Sequence, residues 1–162
     1  LESRQKRELY GQNARHKAEN EFALNRMVRN YEELFGGQKE LKILHLISSN
    51  GLYGAEKVLL SIAENMNCNG VQSLVVAIRN SHNPHSELLN EAKKRNIPVE
   101  TIESKGRFDR KTIKQLNALV RKRHISIIHS HNYKADFVGF SVARKAQIPI
   151  VATNHLWNHH LQ

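Results

Sequence analysis

At 162 residues the chain has room for one sizeable core and excludes an assembly of several large domains. Its 40% hydrophobic content is too high for a disordered chain, yet no apolar run approaches the roughly 18 to 20 residues of a membrane span. Lys and Arg number 25 against 15 Asp and Glu, and the net charge of +10 favours anionic partners. The charged N-terminus has no apolar stretch behind it, so a cytoplasmic address is expected, extending to a peripheral one at the inner membrane face. The single cysteine, Cys68, lacks a partner for a disulfide or a Cys-x-x-Cys site and reads as a buried thiol.

From Arg4 to Phe35 the pattern is helical, with no proline and with Gly11 as the one glycine. Leu24, Met27, Val28, Tyr31, Leu34 and Phe35 form a single stripe at a period of 3.6, so this helix must dock on something. Gly36 and Gly37 end it, and a short linker runs to about Glu40. The segment 1–37 is therefore expected to be two helices that pack either on the α/β sheet of their own chain or on that of a neighbour.

Beyond the linker, short apolar runs alternate with amphipathic stretches. The runs are Leu41–Ile47, Gln72–Ile78, Val99–Ile102, Ile125–His129 and Ile148–Thr153; helices are expected near 55–67, 85–95, 109–123 and 134–146. Strand, helix, strand at this spacing is the mark of βαβ units, so residues 41–162 are expected to form an α/β domain. Its architecture is a Rossmann-like doubly wound parallel sheet of about five strands. Ligands bind such sheets outside the carboxyl ends of the strands, which directs attention to the loops there.

After the first strand, Ser48-Ser49-Asn50-Gly51-Leu52-Tyr53-Gly54-Ala55-Glu56 leads into an apolar helix. Glycines there let backbone approach a ligand, and open amides at a helix start suit a phosphate. The spacing is not Gly-x-Gly-x-x-Gly, and Arg79 and Asn80 stand where a dinucleotide site would place an acidic residue, which counts against NAD. After the fourth strand comes His129-Ser130-His131-Asn132-Tyr133-Lys134, whose two histidines point to one side of an extended segment. After the fifth comes Thr153-Asn154-His155. No metal or other cofactor is expected, because Asp136 is the only carboxylate within reach of His129, His131, His155, His159 and His160.

These residues resemble the first domain of family-four-type glycosyltransferases of the GT-B fold. The first strand with Gly51 to Val58 is similar to that family's Gly-Gly-Ala-Glu turn. Ile125-Ser126-Ile127-Ile128-His129-Ser130-His131, followed by Ile148-Pro149-Ile150-Val151-Ala152-Thr153-Asn154-His155, resembles its "D-V-V-H-x-H … G-I-P-x-V-x-T-x-H" pattern. Tyr53 replaces the first glycine of the Gly-Gly pair and Ser126 the aspartate. Residues 11–35, with Gly11-Gln12-Asn13-Ala14-Arg15 and Glu21-Phe22, resemble the C-terminal tail of the same family. The tail here precedes the head, as in a tandem junction or a rearranged chain.

The resemblance implies an acceptor-binding half of a retaining enzyme that uses a nucleotide-sugar donor, with the donor bound by a second domain beyond this segment. The segment alone is then expected to be inactive. Transferred residue by residue, His131 would be catalytic, reaching the transferring sugar. Gly51 and Gly54 would approach the donor phosphates, and Asn132, Tyr133, Lys134 and His155 would contact substrate. A sugar or lipid-linked acceptor is implied.

The basic stretch from Lys105 through Arg107, Arg110, Lys111, Lys114 and Arg121 to Arg123 is a candidate surface for anionic lipid head groups. Two other readings stand beside this one. A nucleic-acid-binding module would use the same charge but lacks interleaved aromatics, so no nucleic acid is expected. A non-catalytic assembly domain would self-associate through an open sheet edge.

Overall fold

The computed structural model describes residues 6, 8–13, 16, 41–49, 51–68, 71–80, 87–106 and 109–153. The chain divides into two compact units, residues 1–39 and 40–162. In the first, residues 8–13 are helical. The apolar stripe from Leu24 to Phe35, and with it the expected packing of this segment, lies outside the described residues.

The second unit alternates strand and helix throughout. In chain order it contains β1 (Lys42–Ser48), α1 (Gly54–Cys68), β2 (Gln72–Asn80), α2 (Glu87–Lys94), β3 (Val99–Ser104), α3 (Arg110–Arg123), β4 (Ile127–Ser130), α4 (Tyr133–Ala146) and β5 (Ile150–Ala152). All four strand pairings are parallel and the sheet order is β3-β2-β1-β4-β5. The expected five-stranded, Rossmann-like sheet is therefore present. Chain order reverses between β1 and β4, the switch point at which such sheets open a crevice.

Side-chain alternation along the strands splits the core in two. Leu44, Leu46, Val76, Ile78 and Ile128 pack under Leu116 and Val120 of α3 and Val138 and Val142 of α4. Ile47, Val75 and Ala77 face the other way, onto Leu59, Leu60 and Ala63 of α1 and Leu88 and Ala92 of α2. A parallel sheet covered on both faces explains why its central strands, such as β1, read as nearly unbroken apolar runs.

Three helices hand the chain back to the sheet in the same way. Asn96, His124 and Gln147 follow α2, α3 and α4 with φ of 55°, 54° and 57°. The next amide in each case reaches back to the helix, Ile97 to Ala92, Ile125 to Val120 and Ile148 to Ala143, at 2.9 to 3.1 Å. Each is a left-handed C-terminal cap with an apolar residue behind it that starts the approach to the following strand.

Candidate functional site at the switch point

The site is built from the carboxyl ends of β1 and β4. His45 and His129 are register partners on these adjacent strands, so their side chains emerge from the same face of the sheet. His131 lies two residues beyond His129, and its own amide continues the ladder by donating to the Leu46 carbonyl at 2.9 Å. Three imidazoles thus gather at one place. They are 0%, 3% and 1% exposed for His45, His129 and His131.

His45 Nδ1 and His131 Nε2 are 3.4 Å apart. His129 Nε2 lies 2.7 Å from the hydroxyl of Thr153, the residue after β5, so the cluster spans three strands. Burial, and secondarily the neighbouring His129, push His45 down to about 3, so its imidazole is neutral. Its Nε2 is buried without a hydrogen-bond partner among the described residues.

The ligand nitrogens of the three histidines fall within 4.8 Å of one another, close enough to raise the question of a metal. The ring geometry argues for packed imidazoles. Three histidines on a tetrahedral ion would hold their ring centres about 5 Å apart. The His45–His129 and His45–His131 separations, 5.3 and 5.7 Å, approach that value, but the tilted His129 and His131 rings are 4.1 Å apart. The residue that orients His129 is the neutral Thr153 rather than a carboxylate.

Asn132 closes the crevice structurally. Its Nδ2 donates to the Ser48 carbonyl at 2.8 Å, while its Oδ1 accepts from the Ser48 amide at 3.4 Å and from the Ala135 amide at 3.1 Å. One side chain therefore caps α4 and fastens the end of β1 to the end of β4. Its amide is occupied by the protein. The next residues, Tyr133 and Lys134, begin α4 at the rim, Tyr133 69% exposed and Lys134 half-buried.

The loop after β1 differs from the open phosphate cradle that its glycines suggest. Glu56 is buried in the first turn of α1. It accepts from the Tyr53 amide at 3.0 Å and the Ser49 hydroxyl at 2.9 Å, a capping arrangement in which the carboxylate complements the helix start. Glu87 at the head of α2 accepts from the Leu52 amide at 3.1 Å, and the Gly51 amide donates to Ser49 Oγ at 3.3 Å. Carboxylates thus occupy the Leu52 and Tyr53 amides. Gly51 is buried and a Cβ there would sit 2.8 Å from the Tyr53 ring, whereas Gly54 is exposed with open space around it.

The sequence-derived site residues His131, Asn132, Tyr133, Lys134, Gly51 and Gly54 are thus distributed around the β1/β4 crevice, and His155 lies outside the described residues. Sequence reading passed over His45 and Glu87, and read Glu56 only as part of the turn motif. The signal for His45 was present: a lone imidazole in the apolar run Leu41–Ile47, on a strand that pairs with the His-x-His strand. Among the described residues a depression of about 640 Å³ lies at the opposite, amino ends of the strands, between Lys42, Gln72, Glu100 and Arg123. Its place in the fold is the wrong end for switch-point chemistry.

A family profile described as Glycosyltransferase Family 4 matches residues 53–162. No curated protein matches the chain. Among solved structures, Anabaena HepE in complex with UDP superposes with a TM-score of 0.59 at 22% identity, over 75% of this chain and 32% of its own. A glycosyltransferase from Rickettsia africae gives 0.60 at 15% identity, over 75% and 31%, and Acinetobacter baumannii MurG gives 0.53 at 14%, over 70% and 35%. The chain thus spans about a third of the length of each of these structures, with which it shares its fold.

Proposed function

The chain belongs to Glycosyltransferase Family 4, and from that premise we propose that residues 41–162 are the acceptor-side domain of a retaining enzyme that transfers a sugar from a nucleotide-sugar. The observation that carries this is the placement of the His-x-His segment beside β1 at the switch point, where the fold opens its crevice. The UDP named with HepE supports a nucleoside diphosphate as the leaving group. Transfer is a property of the whole protein, in which a second domain faces this one and binds the donor. The 162-residue chain by itself is expected to be inactive.

In this reading His131 contacts the transferring sugar from the first position beyond β4. Its burial means that a sugar reaches it only by displacing what covers it in this chain. Gly54, exposed at the start of α1, lets backbone approach the donor diphosphate, and Gly51 shapes the turn before it. Closing that turn on a diphosphate requires the Glu87 and Glu56 carboxylates to give up the Leu52 and Tyr53 amides, since like charges repel. Tyr133 and Lys134 at the rim of α4 face the acceptor, and Asn132 holds the rim in place.

The test is nucleotide-sugar turnover by the full-length protein and by its His131→Ala variant. Loss of one polar contact to the transition state costs about 10²- to 10³-fold in kcat. Full turnover in the variant would remove His131 from the site.

A second surface supports a lipid-linked acceptor. Lys111, Lys114, Arg121 and Lys122 are exposed on α3, and no described helix is long and apolar enough to cross a membrane. Contact with an anionic membrane surface is the reading these charges favour. The chain is expected to pellet with vesicles rich in anionic lipid at low salt and to be released near 0.5 M salt, where the screening length falls to roughly 4 Å. Pelleting that ignores both lipid charge and salt would refute it.

A further inference from the structure

The trio of imidazoles contains one member that the sugar-transfer reading leaves without a task. His45 lies inside β1, fully buried, beneath the residue that reading assigns to the donor sugar. A neutral imidazole has one N–H and one lone pair, and what it does depends on which nitrogen carries the hydrogen.

The surroundings of His45 decide this. Its Nδ1 faces His131 Nε2 at 3.4 Å, a long hydrogen bond that gains strength from its dry, low-dielectric setting. Its Nε2 is buried with no hydrogen-bond partner among the described residues. A hydrogen on Nε2 would be an orphaned buried N–H, which folded proteins almost never keep. An unmatched acceptor is better tolerated. The hydrogen therefore belongs on Nδ1, and the atom across from it must accept. For a neutral His131 an accepting Nε2 leaves the hydrogen on Nδ1 as well. The low affinity of His45 for a second proton is consistent with this arrangement.

We propose that His45 is a positioning residue: its Nδ1–H donates to His131 Nε2, fixing the direction of the His131 ring and holding it as the Nδ1–H tautomer. The consequence is chemical. What His131 can give a ligand is then an N–H, suited to a sugar hydroxyl or a leaving oxygen. It has no lone pair at Nδ1 to serve as a base there. His129 Nε2 is engaged by the Thr153 hydroxyl at 2.7 Å.

This inference rests on the sugar-transfer reading for its purpose but is tested without it. Long-range ¹⁵N–¹H correlation spectra of the 162-residue chain report which ring nitrogen of each histidine is protonated. Expected are Nδ1–H forms for both His45 and His131, against the Nε2–H form that free imidazole side chains prefer. In His45→Leu the bond is gone, and His131 should revert to Nε2–H or to a mixture. In His45→Asn the side-chain Nδ2 can stand where Nδ1 stood and should preserve the Nδ1–H form of His131. An Nε2–H signal for His45 or His131 in the parent chain would overturn the proposal. So would an Nδ1–H form of His131 that persists in folded His45→Leu.

In the full-length enzyme, His45→Leu should lower kcat with little change in KM, and His45→Asn should recover most of it. Equal kcat in the parent and the Leu variant would overturn the positioning role. Failure of the parent functional reading looks different: undiminished turnover in His131→Ala with the tautomers as expected.

Discussion

Acidification should destabilise this domain through His45, and the size of the effect follows from the structure. His45 is fully buried and its pKa is lowered from 6.5 to about 3, chiefly by desolvation. Above the unfolded value both states hold the ring neutral and nothing is gained or lost. Below it the unfolded chain takes up a proton that the folded chain refuses, so stability falls as pH drops from about 6.5 toward 3. Each pH unit in that window costs about 1.4 kcal/mol, which amounts to about 2 kcal/mol at pH 5 and up to about 5 kcal/mol at pH 3. Against a typical stability of roughly 5 to 15 kcal/mol this is a large share.

Urea unfolding of the chain at half-unit steps from pH 7.5 to 4, beside His45→Leu, isolates the contribution. The variant starts lower because a buried contact is lost, but its curve should fall less steeply, with the gap closing by about 2 kcal/mol between pH 7 and 5. Parallel curves would refute the reasoning, since they would mean that His45 takes up its proton equally in both states.

Two further perturbations probe the frame around the site. Asn132→Ala removes the cap of α4 and the tie between β1 and β4, and is expected to cost about 1 to 3 kcal/mol in chemical denaturation; a loss under about 0.5 kcal/mol would mean the tie is not needed. At Gly139 an added Cβ would lie 3.0 Å from Ile150 Cδ1 and 3.3 Å from Ile128 Cγ2. Gly139→Leu should therefore force α4 off the sheet at a cost of about 1 to 3 kcal/mol or more, with Gly139→Ala milder, and an unchanged melting temperature for the Leu variant would contradict this packing.

Much of the fold was legible because its central parallel strands are buried on both faces. Those central strands therefore appear as compact apolar runs, while the edge strand β3 alternates buried Ile102 and Ser104 with exposed Thr101 and Glu103, and amphipathic helices at 3.6 periodicity lie between the strands. The His-x-His segment was legible too, since two polar rings at the end of an apolar strand break its pattern. The order β3-β2-β1-β4-β5 was not, because pairing depends on which edges meet in space.

The partners inside the site escaped for the same reason. His45 and His131 are 86 residues apart, as Ser48 and Asn132 are 84 apart, and only the β1–β4 register brings them within bonding distance. The glycines after β1 announced a turn correctly, but whether its amides are open depends on where Glu87 comes to rest, 35 residues further on. Local chain chemistry by itself placed the strands and helices between residues 41 and 153, with ends within two residues of those observed. Tertiary structure alone decided which of those residues are neighbours, because hydrogen bonds and desolvation act over a few ångströms of space whatever the separation along the chain.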